Sequence, residues 1–293
     1  MISDLLFALR PKQWVKNLFV FIPLMFGKKL FAFPQTYYTF MVFVLFCMTA
    51  SAVYLINDIF DLEEDRHHRI KKLRPLASGK ITKNQAWTAS AILLIGSIVS
   101  SYFINFQLAA VLAVYFFLNV LYTRFLKTIV IIDVLCIGLF FLLRILAGAI
   151  TAEVVISHWL VFMIFLLAMF LGFHKRRQEL RYMTADTADY RHRFVLKKYS
   201  VYFIDQMITV LTSSIVVAYM LYTVDVRTVA VFGTNHLFYT IPFIYYGIFR
   251  YLYIVHKKSG GEDPTVVFLS DPLMIINLGL WALTSICVIY FKF

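Results

Sequence analysis

Long apolar runs dominate this sequence and decide its fold class. Nine of them approach the ~20 residues that an α-helix needs to cross a bilayer. They lie near residues 17–35, 38–60, 86–104, 107–123, 130–150, 157–174, 201–223, 236–256 and 272–291. With 61% hydrophobic and 15% charged residues, the chain is too apolar for a soluble protein of its length. We therefore predict an all-α polytopic membrane protein with nine transmembrane helices in a single domain, residues 1–293. Asn105 predicts a tight hairpin between the third and fourth runs.

Basic residues are distributed unevenly among the connections between these runs. If the N-terminus is cytoplasmic, 22 of the 28 Lys and Arg residues fall on the cytoplasmic side and four on the other, while Arg144 and Arg250 lie inside apolar runs. This asymmetry is typical of the positive-inside rule. It predicts a cytoplasmic N-terminus and two long cytoplasmic loops, one after the second run and one over residues 174–200. The net charge of +12 therefore needs no nucleic-acid partner to explain it.

The second run ends in a series of carboxylates within YLINDIFDLEEDRHHRIKKLRPLASG (54–79). On a continuous helix at about 100° per residue, four oxygen-bearing residues share one arc about 100° wide: Asn57, Asp58, Asp61 and Asp65. Carboxylates one turn apart repel each other unless cations bridge them, and hard oxygen ligands suit Mg²⁺. A solvated helix end is the alternative, but charge at membrane depth is costly and usually functional. We therefore predict that these four residues bind Mg²⁺.

Basic side chains follow the acids directly. Arg66 comes next, and the turn RPLASG (74–79) is expected to return Arg74 to the acids. Proteins often hold a diphosphate, and stabilise its departure, with Mg²⁺ on carboxylates beside Arg and Lys. The pattern therefore predicts a diphosphate substrate on the cytoplasmic face.

Two motifs carry a family resemblance. NDIFDLEEDR (57–66) resembles the Asn-Asp-x-x-Asp-x-x-x-Asp signature of the UbiA-type intramembrane prenyltransferases, which have nine helices. YTRFLKTIVIID (122–133) is similar to the signature between helices 4 and 5 of that superfamily. The resemblance implies a UbiA-like helical bundle. It also implies five catalytic residues: Asp58, Asp61, Asp65, Tyr122 and Lys127.

A narrower resemblance covers most of the chain. Five motifs resemble the decaprenyl-phosphate phosphoribosyltransferase branch: RPKQWVKN (10–17), RPLASG (74–79), LLRILAGA (142–149), KRRQEL (175–180) and FRYLY (249–253). This branch implies Mg²⁺-dependent transfer of 5-phosphoribose from 5-phosphoribosyl 1-diphosphate (PRPP) to a polyprenyl phosphate. The product would feed arabinofuranosyl donors for cell-envelope glycans, made at the cytoplasmic face of a bacterial inner membrane. A homo-oligomer is compatible with these motifs.

The charge pattern and these resemblances together predict a set of substrate-binding residues with cationic, amide or acidic side chains. They are Lys16, Asn17, Asn57, Arg66, Arg74, Asp133, Arg144, Lys175, Arg176, Glu179 and Arg250.

Two other functions fit part of the sequence. A UbiA-type enzyme that prenylates an aromatic acceptor would carry a second Asp-rich motif after the sixth run, where this chain has the cationic HKRRQELRYM (174–183). A transporter of a phosphorylated metabolite would suit the intramembrane charges of Asp133, Arg144 and Arg250. It would also predict inverted repeats with broken helices, which the sequence does not show.

Overall fold

A computed structural model describes residues 2–67, 71–185, 196–257 and 270–292. The described residues form helices that group into two compact units, divided near residue 155. Unit 1 contains α1 (Ile2–Ala8), α2 (Ile22–Phe26), α3 (Phe33–Phe60), α4 (Leu62–His67), α5 (Lys83–Ile104), α6 (Phe106–Arg124) and α7 (Ile132–Ala152). Unit 2 contains α8 (His158–Ala185), α9 (Val201–Val224), α10 (Val226–Phe232), α11 (Ile241–Lys257) and α12 (Pro272–Phe291). Short 3₁₀ helices lie between them; the longest, Pro11–Phe21, is called the N-terminal 3₁₀ segment.

Seven described helices are long and apolar enough to cross a bilayer. They are α3, α5, α6 and α7 in unit 1, and α9, α12 and the first part of α8 (His158–Leu180) in unit 2. This confirms a multi-pass, all-helical membrane protein. The count of nine is not confirmed. Residues 17–35 are shared among the N-terminal 3₁₀ segment, the five-residue α2 and the start of α3, and α11 has only 17 residues.

Hydroxyl groups join α3 to α5. Thr49 Oγ1 lies 2.9 Å from Ser97 Oγ, and Ser90 Oγ donates to the carbonyl of Ala52 at 3.0 Å. All of these side chains are buried. Because lipid cannot satisfy polar groups, such contacts between helices are satisfied internally. The pairing fixes the position of α3, whose last turn carries Asp58.

The N-terminal 3₁₀ segment packs against α3 and α7. Trp14 Nε1 donates to Ser51 Oγ on α3 at 3.1 Å, and Ser51 Oγ donates to the carbonyl of Leu9 at 3.0 Å. On the other side, a Cβ at Gly148 of α7 would overlap the carbonyl oxygen of Val20. A glycine is therefore required at this crossing, where backbone meets backbone.

Helix α8 continues well beyond residue 174, where the sixth run was expected to give way to a loop. It runs to Ala185, and His174, Arg176 and Arg177 are all buried. The loop prediction for this stretch was wrong, as was the interpretation of His174 as a loop residue. The error arose because polarity was interpreted as exposure to water, whereas these side chains pack inside unit 2.

Candidate active site

The acidic stretch after the second run is divided between two helices. α3 ends at Phe60, Asp61 caps it, and α4 begins at Leu62. The acids therefore do not lie on the single continuous helix used to align them. Asp58 and Asp65 are nevertheless both buried, at 3% and 2% exposure, while the Asp61 side chain is 29% exposed.

Arg74 connects the two buried acids. Its Nη1 lies 3.1 Å from Asp58 Oδ1 and 2.5 Å from Asp65 Oδ2. The other oxygen of Asp65, Oδ1, is buried and accepts no hydrogen bond within the described part of the chain; Lys71 Nζ lies 3.9 Å away. One guanidinium nitrogen thus bridges a carboxylate of α3 and a carboxylate of α4.

Two further cations reach the acids from distant parts of unit 1. Arg10 pairs with Asp58 Oδ1, and its guanidinium lies 5.0 Å from the centre of the Tyr54 ring. Lys127 Nζ lies 2.9 Å from Asp61 Oδ1. The three acids predicted to bind the metal, Asp58, Asp61 and Asp65, therefore each contact at least one cationic side chain. We call Asp58, Asp61 and Asp65 with Arg10, Arg74 and Lys127 the carboxylate cluster.

Helix α6 holds the side-chain amide of Asn57, the residue that precedes Asp58. Thr123 Oγ1 lies 2.7 Å from Asn57 Oδ1 and 2.9 Å from the carbonyl of Asn119. The preceding residue, Tyr122, packs edge-on against Phe140 with ring centres 5.6 Å apart. Asn57 is thus anchored to α6, in the same unit as the carboxylate cluster.

Other predicted residues of unit 1 have different surroundings. Asp133 is fully buried in the first turn of α7. Lys16 is half-buried in the N-terminal 3₁₀ segment. Arg66 forms an exposed ion pair with Glu63 at 3.0 Å, one helical turn away on the same short helix.

Arg144 is held by uncharged partners in the core of unit 1. Its Nε donates to Asn17 Oδ1 at 2.8 Å, Nη1 to the carbonyl of Phe140 at 2.7 Å, and Nη2 to Tyr115 Oη at 2.9 Å. It is 3% exposed, and among the described residues no carboxylate pairs with it. The contacts shown are structural ones between α7, α6 and the N-terminal 3₁₀ segment, and its predicted contact with substrate stays a prediction.

Unit 2 contains a cluster rich in arginine on α8. Arg176, 2% exposed, donates from Nη1 to Glu179 Oε2 at 2.6 Å. Arg177 pairs with Asp205 of α9 through two nitrogens, while its Nη1 is buried without a hydrogen-bond partner in the described residues. Lys175 is half-buried beside them. We call Lys175, Arg176 and Arg177 with Glu179 and Asp205 the arginine cluster.

Arg250 of α11 forms an ion pair within unit 2. Its Nη2 lies 2.8 Å from Asp271 Oδ2 and its Nε 3.3 Å from Oδ1. Asp271 also caps α12 by accepting from the backbone N–H of Met274 at 2.9 Å. The structure thus gives Arg250 a capping partner, which is enough to account for a cation at this position.

The donor set around Asp58 and Asp65 fits Mg²⁺. Among the described residues, no group of three or more His, Cys, Asp or Glu side chains converges to hold a metal. However, Mg²⁺ is usually held by one or two carboxylates together with substrate phosphates. Asp58 and Asp65 flank a single cation, and Asp65 Oδ1 has unused acceptor capacity. The chemistry therefore suits an ion shared with a substrate rather than one enclosed by protein.

Several residues of these clusters were not singled out by sequence reasoning. Arg10, Thr123, Arg177 and Asp205 were not among the predicted site residues. Arg10, Thr123 and Arg177 carried a sequence signal, because they lie inside the motifs RPKQWVKN, YTRFLKTIVIID and KRRQEL. Asp205 is identified by three-dimensional proximity alone.

The model of the UbiA prenyltransferase family matches residues 18–272. The chain belongs to the UbiA prenyltransferase family. This confirms the resemblance seen in the motifs, and it identifies the protein as a membrane-embedded transferase.

Two relatives are similar to this UbiA family member over nearly their whole length. The decaprenyl-phosphate phosphoribosyltransferase of Mycolicibacterium smegmatis is 29% identical over 100% of this chain and 94% of its own. The protein of the same name from Corynebacterium glutamicum is 30% identical over 97% of this chain and 86% of its own. Among solved structures, a UbiA homologue of Archaeoglobus fulgidus bound to DMAPP and Mg²⁺ superposes with a TM-score of 0.69. It has 18% identity and covers 98% of this chain and 99% of its own. That likeness shows the fold.

Proposed function

We propose that this transferase moves 5-phosphoribose from PRPP to a polyprenyl phosphate and releases diphosphate. The observation that carries the proposal is the similarity, at 29% and 30% identity over nearly the whole chain, to two enzymes named decaprenyl-phosphate phosphoribosyltransferase. The carboxylate cluster of unit 1 supports it, because a diphosphate leaving group needs cations and a divalent metal.

The diphosphate of PRPP is proposed to bind at the carboxylate cluster. Asp58 and Asp65 would hold Mg²⁺, with Asp61 and Asn57 completing the arrangement. Mg²⁺ supplies charge neutralisation on the leaving diphosphate when it is bound. Arg74, together with Arg66, would donate to the diphosphate oxygens, since guanidinium groups bind phosphate oxygens in pairs.

The transfer exchanges one bond at C1 of the ribose for another. The bond from C1 to the diphosphate oxygen breaks, and the diphosphate leaves with the electron pair. An oxygen of the lipid phosphate forms the new bond to C1. That phosphate is already an anion at neutral pH, so orientation is needed more than a strong base. Positive charge develops on the ribose as the bond stretches, and the nearby carboxylates stabilise it.

The remaining phosphate groups need cations that are not engaged with the metal. The motifs offer Lys16, Asn17, Arg144, Lys175, Arg176 and Arg250, with Glu179 to orient a cation or accept from a ribose hydroxyl. Of these, Arg176 is a buried guanidinium whose Nη1 lies 2.6 Å from Glu179 Oε2, and a substrate phosphate is proposed to bind beside this pair. Tyr122, Lys127 and Asp133 are proposed to border the bound ribose by the same resemblance.

We place the reaction at the cytoplasmic face of a bacterial inner membrane, with nine crossings. The excess of Lys and Arg on one side of the chain supports this orientation. Residues 17–35 and 236–256 would supply the two crossings beyond the seven long helices.

The test is a transfer assay on purified protein in detergent. PRPP labelled in its ribose is incubated with polyprenyl phosphate, and the label is counted in the organic phase with Mg²⁺ and with EDTA. We expect label in the lipid only when Mg²⁺ is present. A parallel reaction with a prenyl diphosphate and an aromatic acid tests the rival activity. Product in that reaction alone would refute phosphoribosyl transfer.

A further inference from the structure

The buried carboxylates of unit 1 already share a cation. Arg74 Nη1 contacts one oxygen of Asp58 and one of Asp65, at 3.1 and 2.5 Å. Both acids are at least 97% buried, so water cannot screen them from each other. Two ionised carboxylates this close repel, and a shared cation removes that repulsion. A divalent ion held by Asp58 and Asp65 would therefore compete with Arg74 for the same two carboxylates.

We propose that Arg74 is a built-in counter-ion that competes with the divalent cation for Asp58 and Asp65 and moves to the diphosphate when that ligand binds. This inference rests on the proposed function, because it assumes that the ligand is a metal-bound diphosphate. A guanidinium binds phosphate oxygens as well as it binds carboxylate oxygens. The diphosphate therefore offers Arg74 a new partner at the moment when the metal takes its old ones.

The backbone of the turn around Arg74 is anchored, so an exchange of partners would fall to the side chain. The N–H of Arg74 donates to the carbonyl of Lys71 at 2.9 Å, and the N–H of Ile81 donates to the carbonyl of Pro75 at 3.2 Å. Leu76 and Ile81 are buried, at 3% and 2% exposure, in an apolar group under the turn. Since the turn is anchored on both sides of Arg74, the exchange of partners needs only rotation about its side-chain bonds.

Asp65 Oδ1 shows that the guanidinium leaves the site incompletely satisfied. This oxygen is buried and accepts no hydrogen bond in the described residues. Arg74 uses the opposite oxygen, Oδ2, and Lys71 Nζ is 3.9 Å away from Oδ1. A metal ion with a flexible arrangement of waters can use an oxygen that a planar guanidinium does not reach.

Cooperative binding follows from this competition. Without a diphosphate, the metal must displace Arg74 from its two carboxylate partners, and no new anion is supplied to it. With a diphosphate, the displaced guanidinium is paired again. The diphosphate must therefore raise the affinity for the metal, and by linkage the metal must raise the affinity for the diphosphate by the same factor.

The test measures Mn²⁺ binding by electron paramagnetic resonance on purified protein, with and without inorganic pyrophosphate. No ribose or lipid is present, so the outcome does not depend on which group the enzyme transfers. In the wild type we expect weak binding that pyrophosphate strengthens. In Arg74→Gln we expect about tenfold tighter binding of Mn²⁺ alone and a smaller gain on adding pyrophosphate.

Arg124→Gln is the matched control. Arg124 lies over the ring of Phe60, the residue before Asp61, with 4.6 Å between its guanidinium carbon and the ring centre. The substitution therefore removes one positive charge without removing a contact to Asp58 or Asp65. Its Mn²⁺ affinity should equal that of the wild type. An increase equal to that of Arg74→Gln would mean that overall charge, and not the bridge, limits metal binding, and would overturn the inference.

If Arg74→Gln does not fold, a second variant, Arg74→Lys, and a second measurement, thermal unfolding, still test the inference. Lysine keeps the charge, but its ammonium is more strongly hydrated and ends a stem of different length from the one that places Nη1 between the two acids, so Mn²⁺ should again bind more tightly than in the wild type. Mn²⁺ should also raise the unfolding midpoint of the variant more than that of the wild type. Equal or weaker binding in both variants refutes the role of Arg74. A wild type that binds no Mn²⁺ in either condition refutes the metal site of the proposed function as well.

Discussion

The carboxylate cluster of unit 1 and the arginine cluster of unit 2 have opposite arrangements of charge. In the carboxylate cluster the acids come from one stretch, residues 58–65, and the cations come from separate segments at Arg10, Arg74 and Lys127. In the arginine cluster the cations come from one stretch, residues 175–177. Its acids are single residues, Glu179 on the same helix and Asp205 on the next.

This difference determines which kind of ligand each cluster can accept. The acids at the end of α3 and on α4 are proposed to exchange their Arg and Lys partners for a divalent cation, with the backbone staying in place. Buried arginines fixed on α8 can exchange or add an anion, because Arg177 Nη1 has no hydrogen-bond partner in the described residues. One cluster is suited to a metal with a diphosphate, and the other to a phosphate without a metal.

The largest expected effect is on turnover in the carboxylate cluster. Asp58→Asn keeps the shape of the side chain but removes the charge shared by Arg10 and Arg74. We expect Mg²⁺-dependent phosphoribosyl transfer to fall by at least about 100-fold. Asp205→Asn is the matched control in the arginine cluster and should retain more activity. If the two variants lose activity equally, the distinction between the clusters is lost.

Arg144→Met tests whether this buried arginine, which lies in neither cluster, binds substrate or only stabilises unit 1. Its partners are Asn17, Tyr115 and a backbone carbonyl, so the main cost should be structural: about 2 kcal/mol of stability. Thermal unfolding in detergent measures this loss, and Arg144→Lys should recover part of it. A large rise in the KM for a phosphate substrate with no loss of stability would instead assign Arg144 to substrate binding.

A smaller effect is expected in the arginine cluster. Replacing Lys175 and Arg176 with Ala should raise the KM for one of the two phosphate-bearing substrates about tenfold, because two charged donors are removed. The value of kcat should change less. Steady-state kinetics with each substrate varied in turn identifies which phosphate is affected. If neither KM changes in a protein that remains folded, Lys175 and Arg176 do not bind substrate and only help to orient the chain in the membrane.

The sequence predicted the parts of the fold that depend on local composition. Apolar runs locate the seven long helices, and the hairpin is built as expected, with α5 ending at Ile104 and Asn105 capping α6 by accepting from the N–H of Gln107 at 2.7 Å. The break at Asp61 was not predicted, because the pattern of acids fits a continuous helix equally well. The extension of α8 was missed for a related reason: burial of Arg176 and Arg177 depends on partners and packing that the local pattern does not reveal.

The site was predictable to the same extent. The acids are recognisable because they recur within nine residues at the end of an apolar run. Their cations are not, since Arg10 lies 48 positions before Asp58 in the sequence and Lys127 lies 66 positions after Asp61. Such long-range contacts are set by how α3, α6 and the N-terminal 3₁₀ segment pack. Thr123, which supports Asn57 across the same separation, was missed for this reason.

The most direct measurement is the position of the metal in a complex with PRPP. Crystals grown with Mn²⁺ and PRPP, with data collected at the manganese edge, would locate the ion by its anomalous signal. The account predicts a peak within coordination distance of Asp58 and Asp65, with the diphosphate beside it and Arg74 moved onto the diphosphate oxygens. A peak away from these acids, or a diphosphate bound elsewhere while Arg74 still bridges Asp58 and Asp65, would contradict it.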